Sequence, residues 1–419
     1  MFSNYSIGQN ISFWVDNWGF CELIHEPLNN KNKVHRQGTL HQFVLLRLLK
    51  QLVPEVTNEA APGYSFAANA VWKRFYDYRS IFQAWNGIEL STYEELKKDD
   101  VKGVLIKKAE CSDKTVLEPD LAIYYIPNLA ILANSPHFYT EYLTTLHSLL
   151  LLQGFKNPVI LIAQMKSPSK AEFPDQLLTL LHGWKYITDS YPKAKCFIAG
   201  DSAGASLALS FLIFRSAPDS SIFTKPEEES DENLEQKNAT ISSITENHIP
   251  PPFGAIIISP ILKFRGVTER PSEDQCPDFL TSSFINRISQ NYIPPNLPDL
   301  EALHSPGFCN NSNKWEQSFP EKGIILTWGA EELLNNEIEE FGNILAMAGA
   351  TKRWKVKSAV HSWPFVSFLT EDAQDEKEDS CFIFAGIISR MALWHSAYYL
   401  DPNSSKEPMN LLTIDDDHL

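Results

Sequence analysis

The sequence predicts a doubly wound α/β fold, with a mostly parallel sheet and helices on both faces. After residue 115, short apolar segments alternate with longer helix-like stretches, which is the pattern of parallel strands joined by crossover helices. The short segments are continuously apolar rather than alternating, as expected for strands that are buried on both faces.

The predicted strands are short and rich in β-branched residues, and they comprise residues 121–126, 158–163, 195–199, 255–259, 323–328 and 354–360. The helices predicted between them carry apolar residues every three or four positions, and they comprise residues 137–153, 174–190, 203–215 and 337–347. An amphipathic helix over residues 381–400 is expected to close a core that spans residues 111–400.

The regions around this core lack the alternation. Residues 1–110 combine many aromatic residues with amphipathic stretches and are expected to form a helical N-terminal cap region. Residues 264–320 are dense in Pro, Asn and Ser, and are interpreted as a second cap segment. Residues 226–250 are interpreted as a flexible acidic insertion, and residues 401–419 as an acidic tail.

The charge distribution argues against nucleic-acid binding. The 419 residues carry a formal net charge of -16, and three segments, residues 225–247, 371–380 and 401–419, hold -14 of it. The remaining chain is close to neutral and lacks the basic stripe that phosphate binding requires.

Other motifs argue against a metal or nucleotide cofactor. The six cysteines form no CxxC pair, the histidines lack ligand spacing, and phosphate-binding glycine loops of the GxGxxG type are absent. The N-terminus does not read as a secretory signal, and no window of 18 apolar residues occurs. We therefore expect a cytoplasmic protein with no transmembrane span, for which peripheral contact with a lipid surface stays open.

The strongest functional signal is the sequence GDSAG at residues 200–204, between a predicted strand and a predicted helix. It matches the nucleophile elbow GxSxG, in which the serine sits on a sharp turn with its hydroxyl exposed. Side chains at Gly200 and Gly204 would collide with the neighbouring strand and helix. The N–H of Ala203 is placed to donate to an oxyanion that develops when Ser202 attacks.

A serine nucleophile needs a base and an orienting carboxylate, which follow it in the order Ser, acid, His at the ends of later strands. Glu332 follows the predicted strand at 323–328, and His361 follows the one at 354–360. Glu331 flanks the same turn and stays an alternative to Glu332.

With these residues the chain resembles the hormone-sensitive-lipase-like branch of the α/β-hydrolases, in particular fungal esterases related to steryl acetyl hydrolase. The resemblance covers roughly residues 118–370 and depends on the YY pair before the first loop, GDSAG, GAEELL and HSWP. It implies an α/β-hydrolase fold, with Ser202 as nucleophile, Glu332 as acid and His361 as base. It also implies that residues 1–110 and 264–320 select the substrate.

One departure from this family concerns the oxyanion loop. The family places HGGG after the strand that here reads LAIYY, whereas this sequence continues with residues 126–130, IPNLA. Pro127 has no N–H, and Leu129 and Ala130 do not readily adopt the positive φ that glycine permits. Asn128 is the candidate for a second oxyanion donor beside Ala203, through its backbone N–H or through its side chain.

Two functions remain open from the sequence. The first is a serine carboxylic-ester hydrolase that acts on an apolar ester. The second is a pseudo-hydrolase that binds a lipid-like ligand or a protein and has weak or no activity. The retained Ser, Glu and His favour the enzyme, and the missing glycine loop favours the pseudo-hydrolase. The sequence specifies neither the ester nor the oligomeric state.

Overall fold

The computed structural model describes residue 73 and residues 91–98, 100–109, 118–128, 135–165, 172–223, 249–265, 278–293, 300–370 and 374–393. Most of the predicted N-terminal cap region, most of the acidic insertion and the whole acidic tail lie outside these described residues.

An eight-stranded sheet forms the centre of the described chain, in the order β1-β2-β4-β3-β5-β6-β7-β8. The strands are β1 (Ser91–Lys98), β2 (Val101–Lys108), β3 (Leu121–Ile126), β4 (Pro158–Ala163), β5 (Lys195–Asp201), β6 (Gly254–Ile258), β7 (Ile324–Gly329) and β8 (Thr351–Val356). Strands β3 to β8 are parallel, whereas β1 and β2 pair antiparallel. The predicted mostly parallel sheet is confirmed.

Helices cover both faces of this sheet. The described helices are α1 (Thr140–Leu152), α2 (Asp175–Ser190), α3 (Ala203–Ser216), α4 (Ser282–Tyr292), α5 (Glu301–His304), α6 (Ser312–Ser318), α7 (Asn335–Ala348), α8 (Trp363–Thr370) and α9 (Gln374–Leu393). Apolar residues of α2, α3 and α7 pack on one face, and those of α1, α8 and α9 pack on the other. The doubly wound arrangement is therefore confirmed.

Residues 1–110 are predicted to be mostly helical, but the structure has strands at Ser91–Lys98 and Val101–Lys108. These residues form the β1–β2 hairpin, and β2 extends the sheet by pairing with β4, for example Gly103 with Ala163. The apolar run of β2 is buried on both faces, since Leu105 lies in one core cluster while Val104 and Ile106 lie in the other. The described sheet therefore includes residues before 111, the predicted start of the core.

The strand predicted at residues 354–360 is displaced in the structure. Strand β8 is half-buried, spans Thr351–Val356 and pairs with β7 from Ile324 onward. The chain then turns, with Ser358 at a φ of 55°. The run at residues 358–360 misled the prediction because its apolar residues lie in this turn rather than in the strand.

The segment at residues 264–320 contains helices in its described part, and the short helix that the sequence predicts near residues 279–288 is found at Ser282–Tyr292. Helix α4 begins after Thr281, whose Oγ1 accepts a hydrogen bond from the Phe284 N–H at 3.2 Å. This cap satisfies one of the N–H groups that a helix start leaves unpaired. The buried side chains of Phe284 and Ile285 then join the core on the side of α2 and α3.

Candidate active site

Four loops meet at the carboxyl edge of the sheet. They follow β5, β6, β7 and β8, which are parallel and adjacent, so their carboxyl ends lie side by side. Ser202 follows β5, Ser259 follows β6, Glu332 lies three residues after β7, and His361 lies five residues after β8. Ligand sites in open α/β sheets are commonly found at this edge.

Ser202 sits on a sharp turn between β5 and α3, with φ 54° and ψ -122°. Its N–H donates to the Ile258 carbonyl at 2.9 Å, which holds the turn against β6. A Cβ added at Gly200 would lie 2.8 Å from the Gly204 backbone, and one added at Gly204 would overlap the Ile126 carbonyl. The turn therefore requires glycine at both positions, and the loop after β3 packs directly on the helix start.

The structure brings the three predicted residues into one hydrogen-bonded row. The Nε2 atom of His361 lies 2.7 Å from Ser202 Oγ, and its Nδ1 atom lies 3.2 Å from Glu332 Oε2. Such a row can move a proton from a serine hydroxyl to an imidazole whose cation a carboxylate stabilises.

The carboxylate of Glu332 is oriented by two further donors. Ser259 Oγ and the Gly329 N–H each donate to Glu332 Oε1 at 2.5 Å, which leaves Oε2 directed at His361. The neighbouring Glu331 side chain is exposed. Between the two glutamates, Glu332 is thus the one in contact with the imidazole.

Buried carboxylates surround the imidazole. Burial disfavours the His361 cation, but the hydrogen bond and charge of Glu332, with the charges of Asp278 and Asp201, outweigh this effect and raise the pKa of His361 above 6.5. Burial also raises the pKa of Asp201 and of Asp278 to about 6. The site is therefore suited to hold a positive charge on His361.

The two predicted oxyanion donors differ in their surroundings. Ala203 is the first residue of α3, where backbone N–H groups have no partner within the helix. The N–H of Asn128, in contrast, donates to Tyr139 Oη at 3.1 Å and to Asp201 Oδ1 at 3.2 Å. In the described structure the Asn128 N–H is therefore paired with these two side chains, and the role of Asn128 as an oxyanion donor stays a prediction.

Sequence reasoning missed a cluster of side chains around Asp201. Tyr125 donates to Asp201 Oδ1 at 2.8 Å, while Tyr139 and Ser362 donate to Oδ2 at 3.2 and 3.1 Å. The cluster connects the loop after β3 to the residue that follows His361. The sequence shows Tyr125 in the YY pair and Asp201 in GDSAG, but their spacing does not indicate that the two side chains meet.

The described residues contain neither a metal-binding cluster nor a membrane-spanning helix. In the part of the chain that the structure describes, no group of three or more His, Cys, Asp or Glu side chains has a geometry that could hold a metal ion. Across the same residues, no helix is both long enough and apolar enough to cross a bilayer.

Several solved structures named as esterases share this architecture. EstE7, a hormone-sensitive-lipase homologue from a metagenome library, superposes with a TM-score of 0.56 at 15% identity, over 84% of this chain and 98% of EstE7. A hyperthermophilic esterase from the archaeon Pyrobaculum calidifontis gives 0.55 at 15% identity, over 84% and 98% of the two chains. This chain has the α/β-hydrolase fold.

A fungal structure is similar over a smaller part of the chain. Carboxyl esterase 2 from the mycorrhizal fungus Tuber melanosporum gives a TM-score of 0.51 at 15% identity, over 72% of this chain and 88% of the esterase. Protein-family models and curated proteins gave no match. At this level of identity, the α/β-hydrolase fold is what these structures share with the chain.

Proposed function

We propose that this α/β-hydrolase is a serine carboxylic-ester hydrolase that acts on an apolar ester. The observation that carries the proposal is the row in which His361 lies 2.7 Å from Ser202 Oγ and 3.2 Å from Glu332. The row lies at the sheet edge where α/β-hydrolases carry their nucleophile. The similarity to structures named as esterases supports the same reaction class.

In the proposed mechanism, Ser202 Oγ attacks the ester carbonyl carbon while His361 Nε2 takes the hydroxyl proton. Glu332 stabilises the resulting imidazolium, and the Ala203 N–H donates to the oxyanion of the tetrahedral intermediate. The intermediate collapses as His361 returns the proton to the departing alcohol. Water then attacks the acyl-enzyme by the same route, which releases the carboxylic acid and restores Ser202.

The apolar side chain of Phe279, which packs against the proposed base His361, is consistent with an apolar substrate. The Phe279 ring lies with its centroid 5.8 Å from that of His361, in an edge-on arrangement, and it is buried. Within this proposal, the segment 264–320 that holds Phe279 and the region 1–110 select the substrate. The proposal also keeps the sequence-based expectations of a cytoplasmic protein and of a lipid-like substrate, with a role in lipid metabolism.

A pseudo-hydrolase that binds a lipid-like ligand or a protein is the second candidate. Two observations favour it: the Asn128 N–H is bonded to Asp201 rather than directed at Ser202, and Ser202 is only 1% exposed. The loss of one oxyanion donor typically lowers turnover by about 100- to 1000-fold. A weak or inactive enzyme would follow if no other donor replaces it.

Labelling with a fluorophosphonate distinguishes the two candidates. The probe reacts covalently with activated serines, so the proposed enzyme forms an adduct on the peptide that contains Ser202, identified by mass spectrometry. A Ser202→Ala variant and a heat-denatured sample of the native sequence serve as controls, and neither is expected to react. If folded protein is not labelled, the enzyme proposal fails and the pseudo-hydrolase is favoured. If it is labelled, turnover of p-nitrophenyl esters of increasing acyl length reports the preferred acyl group.

A further inference from the structure

A buried carboxylate bridges the two loops that carry Glu332 and His361. Asp278 is 0% exposed. Its Oδ2 accepts the Leu333 N–H at 2.8 Å, and its Oδ1 accepts the His361 N–H at 3.2 Å. Leu333 directly follows Glu332, so one side chain fixes the backbone beside the acid and the backbone of the base.

These two loops extend from different strands. Glu332 lies in the turn after β7 and His361 in the loop after β8. Their side-chain contact of 3.2 Å is at the long end of a hydrogen bond, so a small displacement of either loop would break it. Buried backbone N–H groups require an acceptor, and Asp278 supplies the acceptor for one N–H in each loop.

The same short segment also contacts the imidazole ring. Phe279, the next residue, packs edge-on against His361. Thr281 then caps α4, which anchors the segment to a helix of the core. His361 is thus held through its backbone by Asp278 and through its ring by Phe279.

The charge of Asp278 acts on the same histidine. The titratable groups that face Asp278 are His361 and Glu332, and those that face His361 are Glu332, Asp278 and Asp201. Burial raises the pKa of Asp278 to about 6, against the lowering effect of the His361 charge and of the two N–H donors. At neutral pH the carboxylate therefore carries a charge that favours the imidazolium.

We infer that Asp278 is a positioning residue, which keeps the Glu332 turn and the His361 loop at hydrogen-bonding distance and supports the positive charge on His361. The inference rests on the proposed function, in which His361 is the base. Asp278 acts through His361 and Glu332.

The test compares Asp278→Asn with Asp120→Asn. A carboxamide offers one acceptor oxygen, so one of the two N–H groups faces an NH₂ group and the negative charge is lost. Asp120 is a matched control because its carboxylate also accepts two backbone N–H groups, from Lys156 at 2.7 Å and Asn157 at 3.1 Å. It precedes β3 and therefore lies at the opposite edge of the sheet.

The expected result for Asp278→Asn is a fall of kcat by roughly 10- to 100-fold with p-nitrophenyl acetate, because displacement of a catalytic group by about 1 Å has a cost of this order. KM is expected to stay unchanged. The acid limb of the profile of kcat/KM against pH should move to lower pH, since a nearby opposite charge is removed from His361. Asp120→Asn should change neither quantity.

A titration makes the inference independent of turnover. In ¹⁵N-histidine NMR spectra, with His361 assigned from a His361→Gln variant, the imidazole pKa should be lower in Asp278→Asn than in Asp120→Asn. Equal pKa values would overturn the inference. Absence of fluorophosphonate labelling in the native protein would instead refute the proposed function, while the titration would still report on Asp278.

A measurement on the unaltered protein covers the case in which Asp278→Asn does not fold. The amide protons of Leu333 and His361 should shift together with pH, with a common midpoint near the Asp278 pKa of about 6. A Leu333 amide signal that does not titrate in this range would overturn the inference.

Discussion

The choice of Glu332 over Glu331 as the acid gives the sharpest test of the proposed mechanism. We expect Glu332→Gln to lower kcat severely and Glu331→Gln to leave it within about twofold of the native value. The two variants make the same chemical change at adjacent positions of one turn. The difference between them therefore isolates the contact of Glu332 with His361.

The structure indicates why a glutamine fails at position 332. Oε1 receives two short hydrogen bonds, from Ser259 Oγ and the Gly329 N–H, so the carboxamide oxygen is held at that place. The NH₂ group then faces His361 Nδ1, which must act as the acceptor. The proton moves to Nε2, and Nε2 can no longer accept the proton of Ser202.

Loss of the correct tautomer in a Ser-His-Asp protease costs about 10⁴-fold in kcat, which corresponds to about 5.4 kcal/mol of transition-state stabilisation. We expect a loss of this order in Glu332→Gln. The assay is kcat for p-nitrophenyl acetate at pH 8, with circular dichroism as a check on folding. A folded Glu332→Gln variant within tenfold of native kcat, or an equal loss in Glu331→Gln, would refute the reasoning.

Two further predictions concern the base and the elbow. In the proposed mechanism activity requires neutral His361, whose pKa is raised above 6.5 because the Glu332, Asp278 and Asp201 carboxylates outweigh the effect of burial. The value of kcat/KM should therefore fall as pH drops, with a midpoint above 6.5, and a midpoint at or below 6.5 would contradict this. Gly204→Ala should destabilise the fold by roughly 1–3 kcal/mol, because the added Cβ overlaps backbone. Gly386→Ala is the control, because an added Cβ there meets nothing within 4 Å. Equal Tm values for the two variants in thermal melts would contradict the prediction.

The strands of the parallel core could be predicted because burial on both faces requires continuous apolar runs. Residues 121–126 and 158–163 are strands in the structure with the predicted bounds. The prediction failed at the two ends of the sheet. Burial is partial in β1 and β8, whereas β2 is mostly buried and lies in a region that lacks the strand–helix alternation. Strand β8 contains three charged residues, Lys352, Arg353 and Lys355, and β1 is mostly exposed or half-buried.

The proximity of the predicted site residues could also be predicted, from their positions after successive strands. Ser202, Glu332 and His361 each follow a predicted strand, and parallel strands carry such residues to one edge. The sequence left Glu331 as an alternative, because adjacent residues of a turn differ only in where the turn directs them. The bonds of Glu332 to Gly329 and Ser259 make that difference.

The sequence by itself determined the parallel core and the sharp GDSAG turn between β5 and α3, because both depend on local pattern. Only the tertiary structure decided the partners that support the site, such as Asp278 for the His361 loop and Asp201 for the Asn128 N–H. These bonds join residues 83 and 73 positions apart. A hydrogen bond of this kind depends on which loops the sheet order brings together, and no local pattern along the chain encodes that distance.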